Sequence, residues 1–291
     1  MIYFVGNDTI LPCCEEASIH DVVEYCETKV ELGVDTETEG LDFISKKMIM
    51  FQIGDQDKQY VIDTRCVSIE PLKDILERRD IIKIFHNAKF DYKFIKKWSG
   101  ITCQGVYDTF LVELVNNCGK KIGYGLKDLC KRYFNIELDK EVRNKFVRLE
   151  GQPYTKNQIV YGAKDVEYLC KIKKLQESTT ELNKLENLVK LENEAVLAFA
   201  DIEYNGLDLD SKQWKSLKKT NVNTAKNLAF NLDLLLLENT QLSKFVSKYI
   251  QADMFTPIED LRKVDVKWTS PKQVLEVFQT LVPNLDNVNG K

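Results

Sequence analysis

The sequence is poor in the ligands of zinc sites and in paired cysteines. It has only two histidines, and its eight cysteines are scattered without a single C-x-x-C pair. Structural zinc sites need closely spaced Cys and His ligands, and disulfide frameworks depend on regularly spaced cysteines in small secreted chains. We therefore expect reduced thiols, with neither a zinc site nor a disulfide framework.

Long apolar runs and an excess of positive charge are missing as well. No segment approaches the roughly 20 apolar residues of a membrane-spanning helix. The N-terminal segment MIYFVGNDTILPCC lacks the basic region and apolar core of a signal peptide. The formal net charge of -4 argues against a protein that coats nucleic acid indiscriminately, because such binding requires Lys and Arg to neutralise phosphates. We expect a soluble protein without a membrane partner, whose contacts with any nucleic acid are local.

The first half of the chain alternates short apolar runs with helical patterns. KVELGVDT, KMIMFQIG and KQYVID have the composition of strands, and their close spacing predicts an antiparallel meander. A helix at about 69–78, the buried strand IIKIFH and a helix at about 89–98 follow. This alternation predicts an α/β fold with a mixed sheet.

The second half of the chain is predicted to be mainly helical. Thr155 followed by Gln158 forms a capping-box signature before a long amphipathic helix. A long helix is predicted at 211–238, and Ser270 followed by Pro-Lys-Gln predicts the start of a last helix. The sequence changes to helical segments rich in Leu, Lys, Glu and Asn at about 175–185, where we place a domain boundary.

Two carboxylates lie close together in the segment LGVDTETEG. Because side chains alternate along a strand, Asp35 and Glu37 share one face, and Val34 and Thr36 lie on the other. Two adjacent carboxylates repel each other, and a hard divalent cation relieves that repulsion. The segment therefore predicts half of a metal site, although an exposed strand end with two solvated carboxylates is the alternative.

Two further pairs of polar residues have helical spacing. After the strand IIKIFH, Asn87 is predicted to cap the following helix, and Asp91 lies one turn later. On the helix that Thr155 opens, Tyr161 and Asp165 are spaced i, i+4, so that phenol and carboxylate share a face. Each pair alone is ordinary for a solvated helix. The ordered set of D-x-E, N-x-x-x-D and Y-x-x-x-D in one α/β domain is a specific pattern.

The segments VDTETEG, NAKFD and YGAKD resemble the three exonuclease motifs of the DEDD, or DnaQ-like, superfamily over roughly residues 1–175. The superfamily divides on whether histidine or tyrosine precedes the last aspartate. Val160 occupies the position that a histidine would need, and Tyr161 supplies the tyrosine form. The resemblance implies a ribonuclease H-like mixed sheet flanked by helices, followed by a mainly helical C-terminal region.

The resemblance also implies a phosphodiester hydrolase that uses two divalent metal ions, Mg2+ or Mn2+. By similarity, Asp35 bridges both ions, Glu37 and Asp165 complete the ligands of the first, and Asp91 supports the second. Tyr161 orients the attacking water, because a phenol with an ordinary pKa of about 10 is a poor base at neutral pH. These five residues form the expected catalytic set.

Three more residues are expected to contact the substrate. In polymerase proofreading domains similar to this one, a leucine at the position of Leu41 wedges against the 3′-terminal base, although a core leucine is the alternative. Asn87 is a candidate contact of the terminal nucleotide, beside its role as a helix cap. His86 either reaches a phosphate or fills the end of the strand.

Sequence beyond the exonuclease motifs resembles a polymerase. LENEAVLAFADIEYNGLDLD looks like the segment that opens the polymerase region of family A enzymes, and VKWTSPKQVLEVFQTL is similar to a helix of their thumb. We therefore predict an exonuclease domain at 1–178 and the helical start of a polymerase region at 179–291. Palm and fingers motifs have no counterpart before Lys291, so we expect an N-terminal fragment of a longer polymerase that does not itself polymerise.

These resemblances predict a proofreading 3′-to-5′ exonuclease that releases nucleoside monophosphates from DNA. Its expected partners are the single-stranded 3′ end of a primer-template and the rest of the polymerase, in the cytoplasm of a bacterial cell or of a virus-infected host cell. Two alternatives stay open: a ribonuclease D or Werner-type exonuclease acting on RNA, and a catalytically silent scaffold module. The segment YGLKDLCKRYFNIELDK resembles ribonuclease D as well as polymerase domains.

Overall fold

The computed structural model describes residues 1–7, 12–138, 146, 151–248 and 262–288. By its internal contacts the chain divides into two compact units, Met1–Gly206 and Leu207–Lys291. The predicted domain boundary at residue 178 falls inside the first unit and stays a prediction.

Among the described residues, a mixed sheet of seven strands organises the first unit. The strands are β1 (Ile2–Val5), β2 (Glu15–Glu16), β3 (Glu31–Thr38), β4 (Met48–Gly54), β5 (Gln59–Asp63), β6 (Ile82–Phe85) and β7 (Val106–Asp108). Their order in the sheet is β2-β1-β5-β4-β3-β6-β7. The antiparallel pairs β3–β4 and β4–β5 confirm the predicted meander. Because β3, β6 and β7 are parallel, their carboxyl ends meet at one edge of the sheet.

Helices cover both faces of this sheet. They are α1 (Ile19–Glu27), α2 (Lys73–Glu77), α3 (Ala88–Ser99), α4 (Thr109–Asn116), α5 (Leu126–Phe134), α6 (Lys156–Glu167), α7 (Leu169–Leu182) and α8 (Glu186–Asn205). On one face Val34 and Phe51 belong to the same core cluster as Tyr92 of α3. On the other face Met50 clusters with Ile159 of α6. A strand that is buried on both faces needs a continuous apolar run, which explains the composition of β4.

Capping chemistry sets the start of α6 as the sequence predicts. The Thr155 hydroxyl accepts a hydrogen bond from the N–H of Gln158, and the Gln158 side chain accepts one from the N–H of Thr155 over 2.9 Å. Three strands of this sheet were not predicted: β1, β2 and β7 have four, two and three residues. Such short segments show no periodicity of their own, because pairing with neighbouring strands is what makes them strands.

The second unit is built around one long helix. Its elements are α9 (Ser211–Glu238), a 3-10 turn (Thr240–Phe245), the antiparallel pair β8 (Val246–Lys248) and β9 (Arg262–Val264), and α10 (Pro271–Leu281). Leu236, Leu242, Val266 and Val277 form its described core cluster. Both α9 and the start of α10 after Ser270 confirm the sequence predictions. Across the described parts of both units, no helix combines the length and the apolar character needed to cross a bilayer.

Candidate active site and metal centre

Three carboxylates converge where α6 packs against β3. One carboxylate oxygen from each of Asp35, Glu37 and Asp165 lies within 4.8 Å of the others. Glu37 and Asp165 are buried, with 7% of each residue exposed. Oxygen ligands at this spacing suit a hard divalent cation, and without one the three charges repel one another. The trio therefore fits the metal that the sequence motifs imply.

Two glycines allow α6 to approach the sheet this closely. A Cβ atom on Gly33 of β3 would lie 2.7 Å from the carbonyl oxygen of Val166. A Cβ atom on Gly162 of α6 would lie 2.6 Å from the Nε2 atom of Gln52 on β4. Both separations are far below van der Waals contact. A larger residue at position 162 would have to displace the buried Gln52 side chain, and one at position 33 would meet the backbone of α6 and push that helix away from the strands. Asp165 would be displaced together with the helix.

Asp91 reaches the site from α3, and only 2% of the residue is exposed. Its carboxylate accepts a 2.6 Å hydrogen bond from the hydroxyl of Thr36. Burial, and next the Asp35 carboxylate, raise the pKa of Asp91 well above its ordinary value, and the Thr36 hydrogen bond acts in the opposite direction. A bound cation would favour the ionised form. The surroundings of Asp91 therefore suit a fourth carboxylate ligand.

The start of α3 is held by Asp108, a residue that the sequence analysis did not single out. Asn87 lies at the predicted cap position, but its side chain makes no capping hydrogen bond and its φ is 73°. Instead, the backbone N–H groups of Asn87 and Ala88 donate to the two carboxylate oxygens of Asp108 over 2.9 and 2.8 Å. The predicted capping by the Asn87 side chain is therefore wrong, because a carboxylate from β7 already satisfies this helix start.

Asp108 also caps α4, the helix that directly follows it. Its carboxylate accepts a 2.9 Å hydrogen bond from the N–H of Phe110, and its own N–H donates to the Oδ1 atom of Asn193 over 2.7 Å. Burial raises the pKa of Asp108, and its hydrogen bonds from backbone N–H groups oppose that rise. One carboxylate thus joins the starts of two helices. An aspartate directly before an apolar helical pattern, as in YDTFLVEL, is the sequence signal that identifies it.

One cavity of about 430 Å³ brings together all eight residues that the sequence predicts for catalysis and substrate binding. They are Asp35, Glu37, Leu41, His86, Asn87, Asp91, Tyr161 and Asp165. Leu41 has 78% of its surface exposed, so the alternative of a core leucine is wrong. The Tyr161 ring packs against Phe146 with 6.1 Å between the ring centroids. Most of the cavity wall comes from the ends of β3 and β6, the start of α3 and the middle of α6.

His86 is held in one orientation at the end of β6. Its Nδ1 atom lies 3.0 Å from the hydroxyl oxygen of Thr109, and that hydroxyl donates to the carbonyl oxygen of Phe85 over 2.8 Å. Since the hydroxyl has a single hydrogen, we assign the proton of the His86–Thr109 hydrogen bond to Nδ1. The imidazole also packs edge-on against Phe110, with 5.7 Å between the ring centroids.

Helix α5 adds positive charge to the same cavity. Gly125 and Lys127 at its start line the cavity, and Lys127 is the one lysine among the described lining residues. The buried Glu113 of α4 anchors this helix, accepting hydrogen bonds from Arg132 over 2.6 Å and from Tyr133 over 2.7 Å. No local spacing rule connects Lys127 with carboxylates so distant in the chain, so the sequence places it only within a larger set of basic residues that either track a single strand or are solvated at the surface.

A larger cavity of about 1090 Å³ lies along β7, α7 and α8, away from these carboxylates. Its lining includes Glu177, Glu181, Glu186 and Glu194. In the described part of the chain these glutamates do not form a metal-sized cluster like the trio of the smaller cavity. We therefore place the chemistry of the first unit in the smaller cavity.

Comparison with known protein families identifies an exonuclease domain in the same part of the chain. The model of the family described as 3′-5′ exonuclease matches residues 13–181. Ribonuclease D of Sphingobium indicum is 30% identical over 144 residues, which cover 48% of this chain and 36% of that protein. The chain therefore spans little more than a third of the length of this curated relative.

Solved structures show the same fold. Brucella melitensis NrnC with bound Mg2+ has a TM-score of 0.58 at 21% identity, and the match covers 72% of this chain and 98% of that chain. Escherichia coli RNase D, described as an exoribonuclease involved in structured RNA processing, also has a TM-score of 0.58 at 21% identity, with 69% and 52% covered. These likenesses confirm the predicted ribonuclease H-like mixed sheet.

The relatives found by sequence are ribonuclease D proteins, whereas the sequence analysis favoured a family A polymerase. The comparisons thus support the predicted exonuclease domain without supporting the polymerase part. Because the family model spans more than half of the 291 residues, the chain belongs to the 3′-5′ exonuclease family.

Proposed function

We propose that this chain is a metal-dependent exonuclease that removes nucleotides from the 3′ ends of RNA. The observation that carries the proposal is the convergence of Asp35, Glu37 and Asp165 beside the buried Asp91 in one cavity. Phosphodiester hydrolysis needs an activated water, and it needs positive charge where negative charge develops on the phosphate. Four carboxylates in a member of the 3′-5′ exonuclease family are suited to hold the cations that meet both needs.

Asp35, Glu37, Asp91 and Asp165 would hold two divalent ions, Mg2+ or Mn2+. Such ions lower the pKa of water and stabilise the charge that develops on the phosphate. The Tyr161 hydroxyl orients the attacking water by a hydrogen bond, because a phenol is too weak a base to deprotonate it at neutral pH. The Mg2+ bound in the similar Brucella melitensis structure supports the choice of metal.

The other residues that line the cavity are suited to bind the end of a nucleic-acid strand. Leu41 is exposed and offers an apolar surface for the 3′-terminal base. His86 and Asn87 lie on the wall formed by β6 and α3, within reach of the terminal nucleotide. Lys127 supplies a positive charge for a phosphate of the strand, which the acidic trio would otherwise repel.

RNA is the preferred substrate in this proposal because the relatives found by sequence are named ribonuclease D. This is the ribonuclease alternative of the sequence analysis. DNA proofreading for a family A polymerase is the second candidate. It rests on the resemblance of VKWTSPKQVLEVFQTL to a thumb helix, and the observed helix α10 agrees with that resemblance.

The test compares single-stranded RNA and DNA of equal sequence, each labelled at the 5′ end. With Mg2+ or Mn2+ we expect stepwise shortening from the 3′ end, faster on RNA, and none with a chelator. Asp35→Asn should be inactive, and the matched control Asp57→Asn, which changes an exposed carboxylate outside the cavity, should be fully active. Faster shortening of DNA would favour proofreading, and inactivity on both substrates would contradict an exonuclease function.

A further inference from the structure

The loop that carries Leu41 is held by a residue far from the exonuclease motifs. Phe43, two residues after Leu41, stacks on Tyr204 at the end of α8, with ring centroids 5.4 Å apart and ring planes 24° apart. Resting on the proposed function, we propose that Tyr204 is a positioning residue, which fixes this loop so that Leu41 meets the 3′-terminal base of the substrate. Tyr204 lies outside the range 13–181 that the family model matches.

The loop between β3 and β4 is a closed structure, so fixing one of its residues restrains the others. Its base is closed by a 3.0 Å hydrogen bond from the N–H of Glu39 to the carbonyl oxygen of Lys47. Within the loop the Ser45 hydroxyl donates to the carboxylate of Asp42 over 2.5 Å. Leu41 is 78% exposed, so its own packing contributes little to its orientation and the loop backbone decides it.

Helix α8 is a firm anchor for Tyr204, because ion pairs join its last turns to α3. Glu203 pairs with Lys89 over 2.5 Å and with Lys93 over 2.6 Å. Asp201 pairs with Lys96 over 2.5 Å, and the ammonium of Lys96 also lies 5.0 Å from the ring centroid of Tyr204. Helix α3, which supplies these lysines, also carries Asp91, the buried carboxylate of the candidate metal centre. The stack on Phe43 therefore connects two sides of the same site.

Ordering the loop before the substrate arrives should strengthen binding. A flexible loop loses conformational entropy when it binds a ligand, and a loop held in its bound conformation avoids that cost. An aromatic pair of this geometry changes an equilibrium constant by roughly 3- to 10-fold. Since the reacting groups are untouched, losing the stack should raise KM and leave kcat nearly unchanged.

The test measures kcat and KM of the full chain on single-stranded RNA. Tyr204→Ala should raise KM roughly 3- to 10-fold, with kcat within about 2-fold of wild type. Tyr204→Phe keeps the stacking ring and should restore the wild-type KM. Phe199→Ala is the matched control, because Phe199 is an exposed aromatic residue on the same helix, and it should leave both constants unchanged.

An RNA whose 3′-terminal nucleotide lacks its base separates positioning of Leu41 from a general structural effect. On this substrate, wild type and Tyr204→Ala should have the same KM, because there is no base for Leu41 to contact. A wild-type KM for Tyr204→Ala on ordinary RNA, or an equal rise in KM on both substrates, would overturn the role of Tyr204 and leave the proposed function standing. An inactive wild-type chain would overturn the proposed function, and with it this inference.

Discussion

The hydroxyl of Thr36 donates a 2.6 Å hydrogen bond to the buried carboxylate of Asp91. Thr36 stands between Asp35 and Glu37 in the sequence, and strand alternation directs it to the opposite face of β3. The segment 35–37 therefore supplies two carboxylates on one face of β3. From the opposite face, its threonine orients a third carboxylate, that of Asp91.

Replacing Thr36 with valine should weaken the site without changing its shape. Asp91 would lose a hydrogen bond that favours its charged form, so its affinity for a cation should fall. We expect Thr36→Val to require about 10- to 100-fold more Mg2+ for half-maximal cleavage of RNA, as for other residues that orient metal ligands. Thr64→Val is the control, because the Thr64 hydroxyl donates to the carbonyl of Met48 outside the cavity. Equal Mg2+ requirements in all three proteins would contradict the role of Thr36.

The acidic trio predicts a metal-dependent thermal stability. Saturating Mg2+ or Mn2+, at about 100 times its dissociation constant, should add about 2.7 kcal/mol to the free energy of unfolding of the wild type. Asp165→Asn should lose most of that gain. In chelator the same variant should be at least as stable as wild type, because one of three repelling charges is gone. Thermal unfolding with and without metal measures both effects, and Asp57→Asn should behave as wild type.

Tyr161→Phe separates catalysis from metal binding. The variant keeps the ring that packs on Phe146 and removes only the hydroxyl proposed to orient the water. We expect kcat to fall about 100-fold, while the stabilisation by Mg2+ in thermal unfolding stays at the wild-type value. Tyr168→Phe, at the end of the same helix and outside the cavity, is the control. If Tyr161→Phe loses the Mg2+ stabilisation, Tyr161 belongs to the metal site instead.

Lys127 predicts a salt-dependent contact with the substrate. Removing one phosphate contact should weaken RNA binding and lower the slope of log affinity against log salt by about 1. We expect this of Lys127→Ala in a binding titration across salt concentrations. Lys131→Ala removes a lysine of the same helix that pairs with Glu137 over 2.8 Å, and it should keep the wild-type slope. An unchanged slope for Lys127→Ala would place this lysine outside the path of the strand.

The buried Lys83 of β6 predicts a pH dependence of stability. Its ammonium donates to the carbonyl oxygens of Ile75, Arg78 and Ile81, but burial lowers its pKa to about 8 from an ordinary 10.5. Between these values the unfolded chain binds more protons than the folded chain, so stability rises with pH. Relative to Lys83→Met, the unfolding free energy of the wild type should increase over this window in denaturant titrations. A constant difference would show that Lys83 keeps its proton in the folded state.

Some features of this protein follow from spacing within a few residues. The meander of β3, β4 and β5 follows from alternation, and α6 follows from the Thr155 and Gln158 capping pair. The helix at Ser211–Glu238 was predicted with both ends correct. Short motifs predicted the five expected catalytic residues, because groups on one strand or one helical turn keep a fixed separation in the sequence; all eight predicted site residues line one cavity, and their roles stay predictions.

Other features depend on residues that are distant in the chain, and no local pattern reports them. Asp108 caps the start of α3 from a position 20 residues further along the chain than Ala88. Its carboxylate takes the role that was predicted for the side chain of Asn87. Gly33 and Gly162 matter only because α6 lies against the sheet. Sequence alone determined the chemical groups and most of the elements that carry them. Tertiary structure alone decided how closely α6 approaches β3, and that Tyr204 lies against the loop of Leu41, because packing contacts between remote segments form only when the whole unit folds.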